Sequence, residues 1–102
     1  ILSNGDIVYL INARNKGKEV LIDGKQIQAV YIGNKKFQYA DEEPMFASKL
    51  ALELLNKYDR PEGAEPYQTI NGNDCWQIKV DKDGTNKMIT LADYYDYSVG
   101  AK

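Results

Sequence analysis

The chain contains no histidine, and Cys75 is its only cysteine. Histidine is the commonest general base and the commonest metal ligand, because its unperturbed pKa lies close to neutrality. Its absence excludes the usual Ser–His and Cys–His nucleophile pairs. One cysteine can form neither a Cys-rich zinc site nor an internal disulfide. We therefore expect a protein that is not an enzyme and that holds no metal or other cofactor.

Two further absences narrow the possible functions. No apolar stretch approaches the length of a membrane span, and the phosphate-binding patterns GxxxxGK[ST] and GxGxxG are missing. We therefore expect no association with a membrane. A single cysteine fits a reducing compartment and favours the cytoplasm, while the start at Ile1 leaves a removed signal peptide open.

The composition that remains is that of one folded domain spanning residues 1–102, since 43% of the residues are hydrophobic and 27% are charged. Eight of the eleven aromatic residues are tyrosine, which suits half-buried surfaces and interfaces. The formal net charge is −2, so the chain as a whole gains no electrostatic help in binding phosphate backbones. Nucleic acid is therefore not the expected partner.

Short turn signals divide the chain into strands. Asp23-Gly24, Asn71-Gly72 and Asp83-Gly84 favour type I′ hairpin turns, Gly33-Asn34 favours type II′, and Asn15-Lys16-Gly17 suits a three-residue loop. They predict a four-stranded antiparallel meander followed, later in the chain, by a three-stranded one. The predicted strands are Asp6–Ala13, Lys18–Ile22, Lys25–Ile32 and Lys35–Ala40, then Tyr67–Ile70, Asn73–Asp81 and Lys87–Ala92.

In the first meander, tight turns place Val20 opposite Ile27 and Val30 opposite Phe37. Because Ile27 and Val30 differ by an odd number of positions, the two pairs lie on opposite faces. The first sheet is therefore expected to be apolar on parts of both faces. It would be either curled, as in a small barrel, or covered on both sides.

In the second meander, the Asp83-Gly84 turn pairs Trp76 with Leu91 and Ile78 with Ile89 on one apolar face. The opposite face is polar, so we expect one face of this sheet to be exposed to solvent. Its polar residues are Gln77, Lys79, Asp81, Asn86 and Thr90.

One amphipathic helix is predicted between the meanders. Asp41, Glu42 and Glu43 would cap it and supply first-turn acids, Pro44 is tolerated in the first turn, and Lys57 complements the far end. Its apolar face is Phe46, Ala47, Leu50, Ala51, Leu54 and Tyr58, widened by Leu52 and Leu55. The fold class is therefore α+β, with the helix packed on an antiparallel sheet that is curled or a partial barrel. The Gly5-Asp6-Ile7-Val8 start with its short hairpins is a feature that SH3-like barrels share with many hairpin proteins, and it identifies no family.

Several residue groups have a structural explanation. The Asp81–Asn86 segment contains oxygen ligands in the manner of a calcium loop, but the twelfth position is Ala92 and a hairpin turn explains the same residues. Cys75 is interpreted as a structural cysteine in a strand, because its neighbour Trp76 points into the core.

The densest unusual cluster is near the end of the chain, where Tyr94, Tyr95 and Tyr97 surround Asp96. It is either a terminal strand or turn that packs on the core, or a binding surface. Three aromatic residues in four cannot all enter a small core, and adjacent side chains of an extended segment point to opposite faces, so we expect Tyr95 to face away from Tyr94 and to be exposed. The predicted partner-binding residues are Tyr94, Tyr95, Asp96 and Tyr97, with Asp59, Glu62, Glu65 and Tyr67 from the irregular Asp59–Gln68 stretch.

The expected function is that of a non-catalytic, acidic binding protein, such as an inhibitor, an immunity protein or a phage-type antagonist that occludes a protein partner. Its net charge favours a partner with a basic patch. One alternative is a small-molecule binder, in which tyrosines stack a nucleotide-like ligand and Arg14, Arg60 or lysines hold its phosphates. Another is an SH3-like or OB-like nucleic-acid module. Its surface would comprise Tyr9, Tyr31, Phe37 and Tyr39 with the turn residues Arg14, Lys16, Lys18, Lys35 and Lys36.

Overall fold

The computed structural model describes the backbone of residues 2–100 and the side chains of residues 2–81 and 83–96. It confirms the α+β class: an antiparallel sheet carries three packed helices. The helices are α1 (Ala47–Tyr58), α2 (Gly72–Cys75) and α3 (Leu91–Gly100). The strands are β1 (Ile7–Asn12), β2 (Lys18–Glu19), β3 (Leu21–Ile22), β4 (Lys25–Gln26), β5 (Gln28–Gly33), β6 (Lys36–Gln38), β7 (Met45–Phe46), β8 (Trp76–Lys82) and β9 (Thr85–Thr90).

One sheet unites the two halves of the chain. Its strand order is β7-β6-β5-β1-β8-β9, with β2 paired to the end of β1, while β3 and β4 form a separate hairpin. The central strand β1 is antiparallel to both β5 and β8. The sheet does not close into a barrel. In the described part of the chain, no helix has the length and apolar character needed to cross a bilayer.

The hairpin at Asp23-Gly24 agrees with the prediction. Both turn residues have positive φ, at 52° and 79°, and the Ile27 amide donates a hydrogen bond of 2.9 Å to the Val20 carbonyl. Val20 and Ile27 are both buried in the core. Their pairing is confirmed because a two-residue turn fixes the register of the strands beside it.

The turn between β5 and β6 differs from the prediction. Gly33 pairs with Lys36, so the two turn residues are Asn34 and Lys35, with φ of 53° and 62°, and the register shifts between Tyr31 and Gly33. Phe37 therefore pairs with Tyr31 and not with Val30. A one-residue shift moves a strand's side chains to the other face, so Phe37 joins the core. The predicted pairing of Val30 with Phe37, and with it the placement of the two predicted pairs on opposite faces, is wrong.

The loop after β1 is longer than predicted. Asn12 pairs with Lys18, which leaves five residues rather than three in the connection. The reason is a 3₁₀ turn over Ala13–Asn15, capped by the Asn12 side chain, which accepts a 2.9 Å hydrogen bond from the Arg14 amide. Gly17 does have the expected left-handed backbone, with φ of 71°.

Helix α1 begins later than the acidic run suggests. Met45 pairs with Phe37 of β6, and this short strand delays the helix to Ala47. The Asp41–Glu43 run therefore lies outside the helix, and its predicted capping role is wrong. Pro44 also precedes the helix. The N-cap residue is Phe46, whose side chain makes no capping hydrogen bond.

The buried face of α1 matches the apolar periodicity in its central turns. Its buried residues are Leu50, Ala51, Leu54 and Leu55. The predicted face is wrong at its two ends: Phe46 precedes the first turn and is 55% exposed, and Tyr58 in the last turn is 38% exposed. The helix ends at Tyr58, and Lys57 lies in its last turn as expected.

The β8–β9 hairpin also agrees with the prediction. Asp83 and Gly84 have φ of 53° and 79°, and Ile78 pairs with Ile89. Trp76 and Leu91 are fully buried, although Leu91 already belongs to α3 and not to a strand. The tail after β9 is thus a helix, and its interpretation as a terminal strand or turn is wrong.

The segment before β8 contains no strand. The Asn56 side chain accepts a 2.8 Å hydrogen bond from the Tyr67 amide and donates one of 3.1 Å to the Tyr67 carbonyl. This amide group takes the hydrogen-bonding place of a neighbouring strand, so the predicted strand Tyr67–Ile70 is wrong. Asn71 caps α2, where a hairpin turn was predicted. Cys75, predicted in a strand, ends that helix and is fully buried.

Asn12, at the end of β1, is a fully buried polar side chain that links the sheet to the segment between α1 and α2. Its amide nitrogen donates to the Asp59 carboxylate at 2.8 Å and to the Tyr67 hydroxyl at 3.3 Å. We expect Asn12→Leu to lower the free energy of unfolding by about 2 kcal/mol, because it leaves partly buried acceptors without a donor. Urea denaturation measures this, with exposed Asn15→Leu as the matched control. A loss no larger than that of the control would contradict a stabilising role for Asn12.

Residues 60–66 are all exposed and belong to no helix or strand. Arg60 donates to the Ala64 carbonyl at 2.8 Å, a contact within the loop itself. We expect a non-specific protease to make its first cut in this stretch, because its backbone has few partners. Mass spectrometry of the earliest fragments identifies the cut, and a first cut within β5 or β6 would contradict this map.

Candidate functional site

A groove of about 450 Å³ opens where the β5–β6 turn, the start of α1 and helix α3 meet. We call it the aromatic groove. Its lining comes from separate parts of the chain and is mostly apolar. The lining residues are Leu2, Tyr31, Lys35, Phe37, Phe46, Ala47, Ser48, Asn73 and Tyr95.

A row of rings leads from the core to the floor of the aromatic groove. The Phe37 ring stacks on Trp76 with centroids 6.4 Å apart and an interplanar angle of 7°. The Phe37 ring also contacts Tyr31, with centroids 5.2 Å apart and an interplanar angle of 58°. The Trp76 indole donates a 3.1 Å hydrogen bond to the Ala47 carbonyl. The floor and the start of α1 are therefore held together by the core.

One wall carries cations beside an exposed ring. The turn before β6 places the Lys35 amide 3.2 Å from the Tyr31 hydroxyl, to which it donates. Lys36 pairs across the sheet with Phe46, and its Nζ lies 5.6 Å from the centroid of the Phe46 ring. A cation over an aromatic face is attracted to it. The Phe46 ring therefore lies at the rim of the groove beside Lys36, and Phe46 is 55% exposed.

Gly72 explains how α2 reaches the groove. A β-carbon at this position would lie 2.5 Å from the Ala47 carbonyl carbon and closer still to the Ser48 amide nitrogen. Only glycine permits so close an approach between the two backbones. The Gly72 amide donates a 3.0 Å hydrogen bond to the Ser48 hydroxyl, and the next residue, Asn73, lines the groove.

Tyr95 closes the opposite wall from α3. Tyr95 is 36% exposed, while its neighbour Tyr94 packs against the core. The centroids of the two tyrosine rings are 6.0 Å apart. Adjacent residues on a helix point about 100° apart, so one ring enters the core while the other faces the groove. Burial, followed by the nearby phenols of Tyr31 and Tyr94, raises the pKa of Tyr95 above its ordinary value. The predicted exposure of Tyr95 is confirmed, although the extended backbone assumed for it is wrong.

The other predicted partner-binding residues whose side chains the structure describes do not gather at this groove. Asp59 follows the end of α1 and binds Asn12, and Tyr67 is anchored by Asn56, so both have structural contacts. Glu62 and Glu65 are exposed on the nearby loop. The groove lies at the start of α1 and this loop follows its end, and the twelve-residue helix is about 18 Å long at 1.5 Å per residue. Asp96 is exposed on α3, and the side chain of Tyr97 lies outside the described residues.

Only some of the residues predicted for a small-molecule site or a nucleic-acid surface lie at the groove. Phe37 is buried, so it cannot stack an unpaired base. Arg14 donates to the Thr69 carbonyl at 3.0 Å, and Arg60 donates to Ala64, so neither guanidinium points at the groove lining. Tyr31 and Lys35 do line the groove.

The lining of the groove is suited to non-covalent binding, because it combines apolar surfaces with a few polar groups. Among the described lining residues, Lys35 is the one charged side chain, and Ser48 and Asn73 supply neutral polar groups. No group of three or more His, Cys, Asp or Glu in the described part of the chain is placed to hold a metal ion. Burial raises the pKa of the Cys75 thiol, which favours its unreactive neutral form.

No family model, curated protein or solved structure matches the chain. The functional argument therefore depends on the geometry of the aromatic groove and on the chemistry of its lining.

Proposed function

We propose that the protein is a small non-catalytic binding protein that occludes a protein partner, in the manner of an inhibitor or antagonist, through the aromatic groove. The supporting observation is the exposed pair of large side chains at the groove, Phe46 and Tyr95, which are 55% and 36% exposed. Large aromatic side chains dominate the binding energy of protein interfaces when a partner desolvates them.

The packing around the groove supports this role. The floor of the groove and the start of α1 are fixed in advance by the contact between Phe37 and Trp76 and by the hydrogen bond from Trp76 to Ala47. A surface that is ordered before binding loses less side-chain freedom when the complex forms. Occlusion then requires only that the bound protein cover a functional surface of its partner, without any chemical step.

Paired affinity capture from cells that produce the protein tests this proposal. The baits are the wild-type protein, Phe46→Asp, which places a charge in the groove, and Leu21→Asp as the control. Leu21 is 49% exposed on β3 and does not line the groove. We expect a protein that the wild type and the control retain and that Phe46→Asp loses. Equal retention by all three baits, or loss by the control alone, would contradict binding through the groove.

A second candidate is a small planar anion such as a nucleotide. The groove volume of about 450 Å³ lies within the usual range for ligand sites, and Lys35 with Tyr31 and Tyr95 offers a cation beside rings. A ligand that binds only the folded state raises the melting temperature. We would measure this with nucleoside monophosphates at millimolar concentration. A rise that Tyr95→Ala abolishes supports this candidate, and an unchanged melting temperature contradicts it.

A further inference from the structure

We propose that the segment of the partner that enters the aromatic groove is acidic, with a bulky apolar side chain flanked by Asp or Glu. This inference deepens the proposed function and rests on it. It depends on two properties of the groove, its apolar walls and the sign of its local charge.

The walls select a large apolar side chain. Tyr31, Phe46 and Tyr95 present ring surfaces from β5, the start of α1 and α3, and Phe37 closes the floor. A cavity of this volume matches a drug-sized ligand rather than a whole protein surface. A short stretch of the partner chain is therefore the part that enters, and burying its apolar side chain against the rings removes both from water.

The charge at the groove is opposite to that of the whole chain. Lys35 is the one charged residue among the described lining residues, and Lys36, which is not part of the lining, lies over the ring of the lining residue Phe46 with its Nζ 5.6 Å from the centroid. Asp74 and Asp96 are chain neighbours of Asn73 and Tyr95, but they are not part of the lining. An acidic side chain on the bound segment would pair with the lysines, whereas a basic one would find no carboxylate among the described lining residues.

Complementary local charge sets partner choice more strongly than net charge does, because charges beyond a Debye length of about 8 Å are largely screened at physiological salt. The net charge of −2 favours a basic partner, but Lys35 lines the groove and Lys36 lies over the Phe46 ring at its rim. The groove therefore favours an acidic segment even though the chain is acidic overall.

A random library of displayed 12-residue peptides, selected on the immobilised protein, tests the inference. Fluorescein-labelled copies of the most enriched peptides are then titrated by fluorescence anisotropy at 150 mM salt. The test variant is the double substitution Lys35→Glu/Lys36→Glu. The matched control is Lys79→Glu/Lys87→Glu, which makes the same change in net charge at two exposed positions outside the groove. Melting temperatures verify that both variants are folded.

We expect the enriched peptides to combine an aromatic or large aliphatic residue with Asp or Glu. The groove variant should weaken their binding at least tenfold, and the control should weaken it less than threefold. Failure to enrich any peptide, enrichment without acidic residues, or equal weakening by both variants would overturn the inference. If Phe46→Asp abolishes peptide binding but the lysine reversal does not, the groove remains a binding site and only the acidic preference is wrong.

Discussion

Trp76→Ala should lower the free energy of unfolding by about 3–5 kcal/mol, the range for truncating a large core aromatic. Trp76 is fully buried, stacks on Phe37 and donates its indole hydrogen bond to Ala47. Its removal would leave a cavity between β8 and the start of α1. Chemical denaturation followed by circular dichroism measures the loss.

Trp76→Phe separates packing from hydrogen bonding at the same site. It retains most of the ring volume and removes the donor to Ala47, so we expect a smaller loss of about 1–2 kcal/mol. A loss below about 1 kcal/mol for Trp76→Ala would mean that the ring does not hold the groove floor in place.

Gly72→Ala should also be strongly destabilising, by about 3 kcal/mol, at the upper end of the range for overpacking. The added methyl group would lie 2.5 Å from the Ala47 carbonyl carbon, so the α1 and α2 backbones would have to separate. On propensity alone, replacing glycine by alanine in a helix is favourable by about 1 kcal/mol. The sign of the measured change therefore decides which effect dominates.

Asn73→Ala is the matched control, because Asn73 is the next residue in the same helix and is exposed. Its effect on thermal or chemical unfolding should remain within about 0.5 kcal/mol. A neutral or stabilising result for Gly72→Ala would show that the two helices do not approach as closely as the structure describes.

The parts of the fold that could be predicted are those fixed by neighbouring residues. A two-residue turn such as Asp83-Gly84 determines its own register, and this gave the pairing of Ile78 with Ile89. The buried face of α1 follows from three- and four-residue spacing in the same way. The union of both halves through β1 depends on contacts between distant residues, which turn signals do not encode.

The wrong predictions also arise where contacts between distant residues decide the local structure. Asn71-Gly72 has the composition of a hairpin turn, but its glycine serves the close packing of two helices. Tyrosine favours strands, yet the tyrosine-rich tail is helical because Leu91 and Tyr94 pack on the core from α3. Tertiary packing overrides local preference at both places.

The candidate site could be predicted only in part. Tyr95 was expected to be exposed because three aromatic residues in four cannot all enter a small core. Phe46 was missed because its helical spacing favoured the core, whereas β7 places it before the first turn of α1. Ser48 and Asn73 carry no signal in the sequence, since their place in the groove depends on the packing of α2 against α1.

The most direct test of binding through the aromatic groove compares Tyr95→Ala with Tyr94→Ala, using the protein recovered by affinity capture as the titrant in calorimetry. Tyr95 faces the groove and Tyr94 packs on the core. We predict that Tyr95→Ala weakens binding by about 2 kcal/mol, roughly 30-fold, with little change in melting temperature. Tyr94→Ala should lower the melting temperature and leave the affinity of the folded protein unchanged. Binding of wild-type strength by folded Tyr95→Ala would contradict the role of the groove.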